Sequence, residues 1–329
     1  MKAVILGAGF IAEFHARGYG SQLCAVCDTD ASKAQELAQK YDCRWYTDAQ
    51  NMLDAEKPDV VSVCLPTWLH RPYAVMALES GAHVLCEKPL ALTMDDCLAM
   101  QQAAKRCARQ LVTAQVLRWW PEYACIAEQV KRLGTPQYIS TRRLQHPSRI
   151  SWHVEPKLGG GALYDLFIHD VDFVCSLMQE PPIVLAASGN RGPQGSFRRI
   201  DALLQFSGCC AHVEASSQMP EGYPFTAAFH AQYADAALDY RFRTAVNIER
   251  GAKAETEFLL YENGGVSALE PSQNAQEKAF KAQLAAFVDG VKTGISPLPV
   301  EETVAVMQVI HRVKAMLEEQ EQERLASSH

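Results

Sequence analysis

The sequence predicts an α/β protein: an N-terminal doubly wound parallel sheet followed by an α/β domain built on an open, largely antiparallel sheet. Three observations carry this. A strand of small apolar residues, Lys2 to Leu6, runs directly into Gly7-Ala8-Gly9-Phe10-Ile11-Ala12. Apolar strands and amphipathic helices then alternate for about 120 residues, the mark of a parallel sheet covered on both faces. Beyond that point the strands lengthen and alternate polar with apolar residues, as in an antiparallel sheet.

The elements follow in order. A helix-forming stretch leads from Ala12 to about Gly18, and Leu23 to Asp28 is a second strand closed by an acid. Ser32 to Tyr41 has helical periodicity. Val60 to Leu65 is one buried strand; Pro66-Thr67 opens a helix through Ser80, with Thr67 as N-cap and Gly81 as terminator. Val84 to Cys86 is the next strand, ended by Glu87-Lys88-Pro89, and Met94 to Arg109 is helical. Leu111 to Val116 completes a first domain, 1–120, whose boundary falls at Trp119, Trp120 and Pro121. The second domain, 121–329, opens with a helix from Glu122 to Leu133 and continues with strands at Gln137 to Leu144 and Ile183 to Ala187. Asp201 to Phe206 and Cys209 to Ser216 form a hairpin across Ser207-Gly208. Strands at Phe225 to Ala231, Ala237 to Phe242 and Glu257 to Tyr261 precede helices at Ala275 to Val291 and Glu301 to Gln320, and Leu325 to His329 are expected to fray.

Composition excludes several classes. With 329 residues and 48% hydrophobic content the chain buries a sizeable core. A net charge of −7 gives no electrostatic footprint for nucleic acid or an anionic membrane. The N-terminal apolar run is not expected to act as a signal peptide, because it holds a strand-turn glycine pattern and meets Glu13 and His15 too early. No later apolar stretch approaches a membrane span. Eleven cysteines, an odd number scattered over apolar segments, read as reduced thiols and point to the cytoplasm. Cys24 and Cys27 form a C-x-x-C, but residues three apart on a strand face opposite ways and no second pair accompanies them, so no redox or metal role is expected.

The first motif has the form of a dinucleotide-binding turn. Gly7 permits the tight bend, Gly9 lets the backbone approach a pyrophosphate, and small Ala12 lets the helix pack on its strand. The helix N-terminus, with Phe10 and Ile11, then faces the phosphates. Asp28 follows Gly9 by nineteen residues and lies where an adenosine ribose presents its hydroxyls. Thr29 and Asp30 follow it, without a cation for a 2′-phosphate, so the pattern favours NAD over NADP. The competing reading makes Asp28 the N-cap of the Ser32 to Tyr41 helix.

The second motif is Gly159-Gly160-Gly161-Ala162-Leu163-Tyr164-Asp165-Leu166-Phe167-Ile168-His169-Asp170-Val171-Asp172. Asp165 and His169 are four apart and His169 and Asp172 three apart, so on a helix they share a face. A carboxylate that orients an imidazole beside a glycine run suits proton transfer at neutral pH. The competing reading is a helix-capping aspartate and a core histidine.

Taken together, the two halves resemble the Gfo/Idh/MocA family, that of glucose-fructose oxidoreductase and inositol dehydrogenase. The resemblance rests on the Gly7 to Ala12 turn with Asp28, on Pro66-Thr67-Trp68-Leu69-His70, on Glu87-Lys88-Pro89-Leu90, on Arg118 before Pro121, and on Gly159 through Asp165, His169 and Asp172. It implies a Rossmann domain followed by a C-terminal α/β domain whose open sheet forms an oligomer interface, hence a homodimer or homotetramer. It implies that Gly7, Gly9, Phe10, Ile11, Asp28, Pro66, Thr67, His70, Glu87 and Lys88 serve the cofactor. Lys88, with a cis bond before Pro89, Asp165 and His169 would form the catalytic set. Arg118, Trp152 and Phe167 would join those three on the substrate side. Many members carry glycine where this chain has Phe167, whose ring either narrows the pocket or turns into the core, and Trp68 stands where a smaller polar residue is frequent. Asp172 would orient His169, contact substrate or lie on the helix surface.

The implied activity is NAD(P)-dependent hydride transfer at a secondary hydroxyl or ketone of a sugar, cyclic polyol or related small molecule. The substrate stretch also holds Arg142, Arg143, Arg149 and His153, and the arginines could clamp an anionic group. Two alternatives share the fold: a glycosidase that retains NAD and acts by oxidation and elimination, and a sugar-sensing regulator without turnover.

Overall fold

In the computed structural model, which describes residues 1–244 and 254–327, strand β1 (Ala3–Leu6) is buried along its whole length. That is the reason for an unbroken apolar run: a central parallel strand has no wet face. The chain divides into two units, Met1–Trp120 with Asn274–Val304 and Pro121–Gln273 with the residues from Ala305 on.

In the first unit, β1 leads through the glycine turn to α1 (Phe10–Tyr19), then β2 (Leu23–Cys27), α2 (Ala31–Tyr41), β3 (Arg44–Tyr46) and α3 (Ala49–Glu56). The series continues with β4 (Val60–Val63), α4 (His70–Glu79), β5 (His83–Glu87), α5 (Met94–Cys107) and β6 (Leu111–Ala114). The strands form one parallel sheet in the order β3-β2-β1-β4-β5-β6. Asp30, Asp48 and Thr93 cap α2, α3 and α5 by accepting backbone N–H groups. Asp28 therefore is not the cap of α2. Thr67 is no cap either: it lies in a short helical turn, Thr67–Leu69, and α4 starts at His70 with no side-chain cap. Strand β3 and helix α3 escape sequence reading because β3 is three residues long and exposes Arg44 and Trp45.

Helix α8 (Ala275–Thr293) belongs to this first unit. Its Leu284, Phe287 and Val288 join Ala12 and Ala16 of α1 and Ala3 and Ile5 of β1 in one buried cluster. Phe280 stacks on Phe14 with ring centroids 4.8 Å apart. Gly18 is part of this contact, since a Cβ there would stand 3.0 Å from Leu284 Cγ.

The second unit comprises α6 (Pro121–Leu133), β7 (Tyr138–Leu144), α7 (Ile168–Met178), β8 (Ile183–Arg191), β9 (Phe197–Phe206), β10 (Cys209–Ser216), β11 (Phe225–Gln232), β12 (Ala236–Thr244), β13 (Glu255–Glu262) and β14 (Gly265–Ala268). Its sheet runs β14-β13-β12-β11-β7-β10-β9-β8, antiparallel except for the β7–β10 pair. The hairpin forms at Ser207-Gly208 as expected, with Gly208 at φ 79° and Phe206 opposite Cys209. Tyr123 of α6 and Phe173 of α7 meet edge to face at 4.8 Å, and Tyr240 and Phe229 extend the cluster onto the sheet. Each such pair adds about 0.5–1.5 kcal/mol beyond area burial. Helix α9 (Val300–Ser327) ends in this unit, where Gln320 donates to the Ala187 carbonyl at 2.8 Å and Arg191 pairs with Glu321 at 2.9 Å. Leu325 to Ser327 continue the helix rather than fray; the last two residues lie outside the described residues.

Among the described residues no helix is long and apolar enough to cross a membrane, and no group of His, Cys, Asp and Glu could hold a metal ion. All eleven cysteines are unbridged, Cys24 and Cys27 included.

Candidate cofactor and catalytic sites

Gly7 has φ 96°, and a Cβ there would lie 2.3 Å from the Cys64 carbonyl oxygen. No side chain fits. Gly9 differs, since nothing lies within 4 Å of its would-be Cβ. The protein itself gives no reason for glycine at Gly9, whereas a pyrophosphate lying against the backbone does. Helix α1 starts there without a side-chain cap, leaving its first N–H groups for an anion. Ala12 is fully buried against the sheet, Ile11 half-buried, and Phe10 stands 78% exposed at the head of the helix.

Asp28 is tied to this turn. Its Oδ2 accepts the Ala8 N–H at 2.8 Å and its Oδ1 the Asp30 N–H at 2.9 Å. The carboxylate is thus fixed beside the glycines with remaining lone pairs for ribose hydroxyls, and these residues fit a dinucleotide.

After β4 and β5 come two loops that His70 joins. Its ring is 1% exposed, with Nδ1 2.8 Å from the Pro89 carbonyl and Nε2 2.7 Å from the Leu65 carbonyl. Burial lowers its pKa and outweighs the two carbonyls, which raise it. Both ring nitrogens of His70 thus face carbonyl groups of the chain's own loops. Pro66 is half-buried, Thr67 buried and Trp68 exposed. The Lys88–Pro89 bond is cis.

Glu87 is 8% exposed and also faces inward, accepting from His15 Nε2 at 3.0 Å through Oε1 and from the Lys88 N–H at 3.2 Å through Oε2. Sequence reading did not assign His15 to any site. The available signal was its place on the apolar face of α1, in register with Ala12, Ala16 and Tyr19. Arg118 is held by Glu302 at 2.7 Å.

In the second unit the glycine run serves the chain's own packing. A Cβ on Gly159 would sit 2.6 Å from His153 Cα, and one on Gly161 2.6 Å from Ser196 Oγ. Gly160 and Gly161 both have positive φ, 74° and 73°. The run brings Trp152 and His153 against the start of the following helix, where the Gly161 N–H donates to the His153 carbonyl at 2.9 Å. That helix does not begin as an α-helix: Leu163–Phe167 form a π-helical turn before α7. Such turns recur at functional sites.

From Gly159 to Val174 every residue is buried except Asp165 and His169. The two candidate catalytic groups are thus the two that reach solvent from an otherwise closed segment. His153 Nδ1 lies 3.9 Å from Asp165 Oδ2, with both side chains about one-quarter exposed (23% and 26%), and Trp152 packs edge-on to His153 at 4.1 Å. Phe167 is 0% exposed, so its ring is core and shapes the site only from behind; it does not line a pocket. Asp172 is likewise 0% exposed, which removes the helix-surface reading.

The arginines are engaged elsewhere. Arg143 is buried and makes a two-pronged bond to Asp170, at 2.8 and 3.0 Å, while also donating to Tyr123 Oη at 3.1 Å. Burial alone would lower its pKa, but the Asp170 carboxylate more than offsets this and keeps it cationic. Arg142 pairs with Glu214 at 2.6 Å and Arg149 with Glu221 at 3.3 Å.

Known proteins share both halves. Residues 1–115 match an oxidoreductase family with an NAD-binding Rossmann fold, and residues 127–252 match the GFO/IDH/MocA C-terminal domain. D-glucoside 3-dehydrogenase of Escherichia coli (strain K12) is 36% identical over 194 residues, covering 56% of this chain and 55% of that protein. UDP-N-acetylglucosamine 3-dehydrogenase of Acidithiobacillus ferrooxidans is 29% identical over 191 residues, 57% of this chain and 58% of that one. The chain therefore spans little more than half the length of these curated relatives. Aldose-aldose oxidoreductase from Caulobacter crescentus, solved with glycerol, has the same fold: TM-score 0.83 at 22% identity, covering 97% of this chain and 98% of that one. With both domain types matched in order over a sheet of dinucleotide-binding topology, the chain belongs to the GFO/IDH/MocA oxidoreductase family.

Proposed function

We propose that the protein is a NAD-dependent dehydrogenase or reductase acting on a ring secondary hydroxyl or ketone of a neutral sugar. One observation carries the reading: Asp165 and His169 are the only residues between Gly159 and Val174 that are not buried. When bound, the nicotinamide supplies the two-electron acceptor for the substrate C–H. His169 takes the hydroxyl proton, Asp165 fixes the imidazole tautomer and stabilises its cation, and Lys88 favours the developing alkoxide. Asp28, with no cation in its strand-end turn, supports NAD over NADP.

Two relatives whose names place oxidation at position 3 support a hexopyranoside oxidised at C3. The buried Arg143–Asp170 pair and the Arg142–Glu214 pair support an uncharged sugar over a phosphorylated or nucleotide-linked one. The unbridged cysteines support a cytoplasmic location. We further propose a homodimer or homotetramer formed through the second unit's sheet. By the sequence reading this association is conditional on an apolar sheet face; the sheet carries Arg142–Glu214, His230–Asp239 and Arg241–Glu257, so the contact proposed is a polar one.

The test follows NADH absorbance while the purified protein is incubated with NAD and neutral glycosides, free sugars, cyclic polyols and nucleotide-linked sugars, each repeated with NADP. Growth with a neutral glycoside and NAD is expected. Silence across the panel from protein that nevertheless binds NAD would overturn the reading. Aglycone release without net NADH would then indicate glycoside cleavage, and ligand binding without chemistry a sensor.

A further inference from the structure

Helix α1 carries a histidine with 0% exposure in the middle of its buried face. Its Nδ1 lies 2.9 Å from Ser62 Oγ, its Nε2 lies 3.0 Å from Glu87 Oε1, and Ser62 Oγ lies 2.8 Å from Tyr19 Oη. The other carboxylate oxygen of Glu87 accepts the Lys88 N–H at 3.2 Å. A carboxylate only accepts, so Nε2 donates to Glu87, while donor and acceptor in the bonds of Ser62 to Nδ1 and to Tyr19 follow the ring's tautomer.

The chain spans three elements. Tyr19 and His15 lie on α1, whose head is the candidate phosphate site; Ser62 lies on β4; and Glu87 ends β5 immediately before Lys88. A buried histidine needs a partner for each of its two ring nitrogens, and neighbours on its own helix could supply them. This ring instead links the dinucleotide helix to the residue that sets the backbone of the proposed catalytic lysine. On the far side of Lys88, His70 holds the Pro89 carbonyl.

We infer that His15 and Glu87 are positioning residues that lock the Lys88 backbone to the phosphate-binding helix, so that cofactor seating and lysine placement share one rigid frame. This rests on the proposed role of Lys88. It needs no contact between His15 and any ligand, and the Nε2 bond rather than the Nδ1 bond carries the effect.

Two isosteric changes separate the bonds. His15→Gln keeps an amide donor near the Nε2 position, whereas His15→Asn keeps an amide group near Nδ1 but none that reaches Glu87. Both proteins, with wild type, are assayed for turnover and NAD Kd and examined by NMR after ¹³C-dimethylation of lysines, the Lys88 resonance being assigned with Lys88→Arg. A misplaced group of this kind costs on the order of a hundredfold in rate. His15→Asn is expected to lose kcat on that scale, shift the Lys88 resonance and change NAD Kd by less than about threefold; His15→Gln should restore most of both signals. In a Lys88→Ala background His15→Asn should cost no further kcat. An unmoved Lys88 resonance in His15→Asn, or equal kcat in the Asn and Gln variants, would overturn the proposal. If His15→Asn does not fold, Glu87→Gln replaces one of the two accepting oxygens by an amide NH2, so the bonds to His15 Nε2 and to the Lys88 N–H cannot both be kept, and the same resonance is read, a shift supporting the proposal and none overturning it. Should wild type oxidise no sugar, the dehydrogenase reading fails while the Lys88 resonance still decides the positioning claim.

Discussion

His153 and Asp165 face each other across the glycine run, with Nδ1 3.9 Å from Oδ2. Two histidines are therefore candidates to exchange a proton at this site, and they are separable by magnitude. His153 is part of a solvent-accessible pair at long range, worth about 1 kcal/mol or less. Kinetics should show His153→Gln lowering kcat by less than about tenfold, in line with that energy. Loss of a positioned base costs about a hundredfold to ten-thousandfold, and this is the expectation for His169→Ala with NAD affinity retained. Equal turnover in the His169 variant would remove it from the mechanism.

Asp28 should set cofactor choice. Asp28→Ser removes the acceptor for ribose hydroxyls and the charge that repels a 2′-phosphate, and it releases the Ala8 N–H. The expected outcome is an NAD KM raised about tenfold, from loss of one charge-assisted hydrogen bond, with a smaller change for NADP. Fluorescence titration with both reduced cofactors checks it.

The buried Arg143–Asp170 pair predicts an asymmetric response. Asp170→Asn leaves a buried guanidinium without its counter-charge and should destabilise by about 3–5 kcal/mol. Replacing both partners, as Arg143→Met with Asp170→Leu, should recover most of that loss. Denaturant midpoints of wild type, Asp170→Asn and the double variant decide it, and an Asp170→Asn protein without cost would show the pair to be energetically idle.

Stability should fall on both sides of neutrality. Burial holds His70 below its ordinary value of 6.5, so the unfolded chain binds its proton first and stability is lost as pH drops through that value. Burial pushes the Cys64 and Cys86 thiols well above their ordinary 9.0. The unfolded chain then loses those protons first, and stability is lost as pH rises past 9.0. Scanning calorimetry across pH should give the highest Tm between the two limits, and Cys64→Ala should flatten the alkaline arm.

If the second unit's sheet mediates association, the face that carries Arg142–Glu214 and Arg241–Glu257 should make assembly salt-sensitive. Sedimentation at low and at molar salt tests this. A species unchanged across that range would point to an interface elsewhere.

The parallel sheet and the glycine turn were legible because a parallel core strand and a dinucleotide turn constrain residue size at each position. Asp165 and His169 stand out in the sequence for a different reason, since two polar residues four apart in an apolar run need an explanation, and what the structure adds is their partial exposure. The return of α8 to the first unit was not, because nothing in its periodicity names the surface it covers. Nor was the fate of Arg143, whose outward or inward direction depends on Asp170 being buried opposite it. His15 was overlooked because one polar residue on an apolar helix face gives no hint of which partners satisfy it.

The π-helical turn at Leu163–Phe167 makes the site a matter of counting. One residue more or fewer in that turn swings the preceding side chain by about 100° relative to α7. A homologue one residue shorter there could keep both letters of the Asp165 and His169 pair yet aim them at different neighbours. Catalytic assignments carried between relatives across this segment therefore need the turn itself matched, because identical letters at unequal spacing describe a different piece of chemistry.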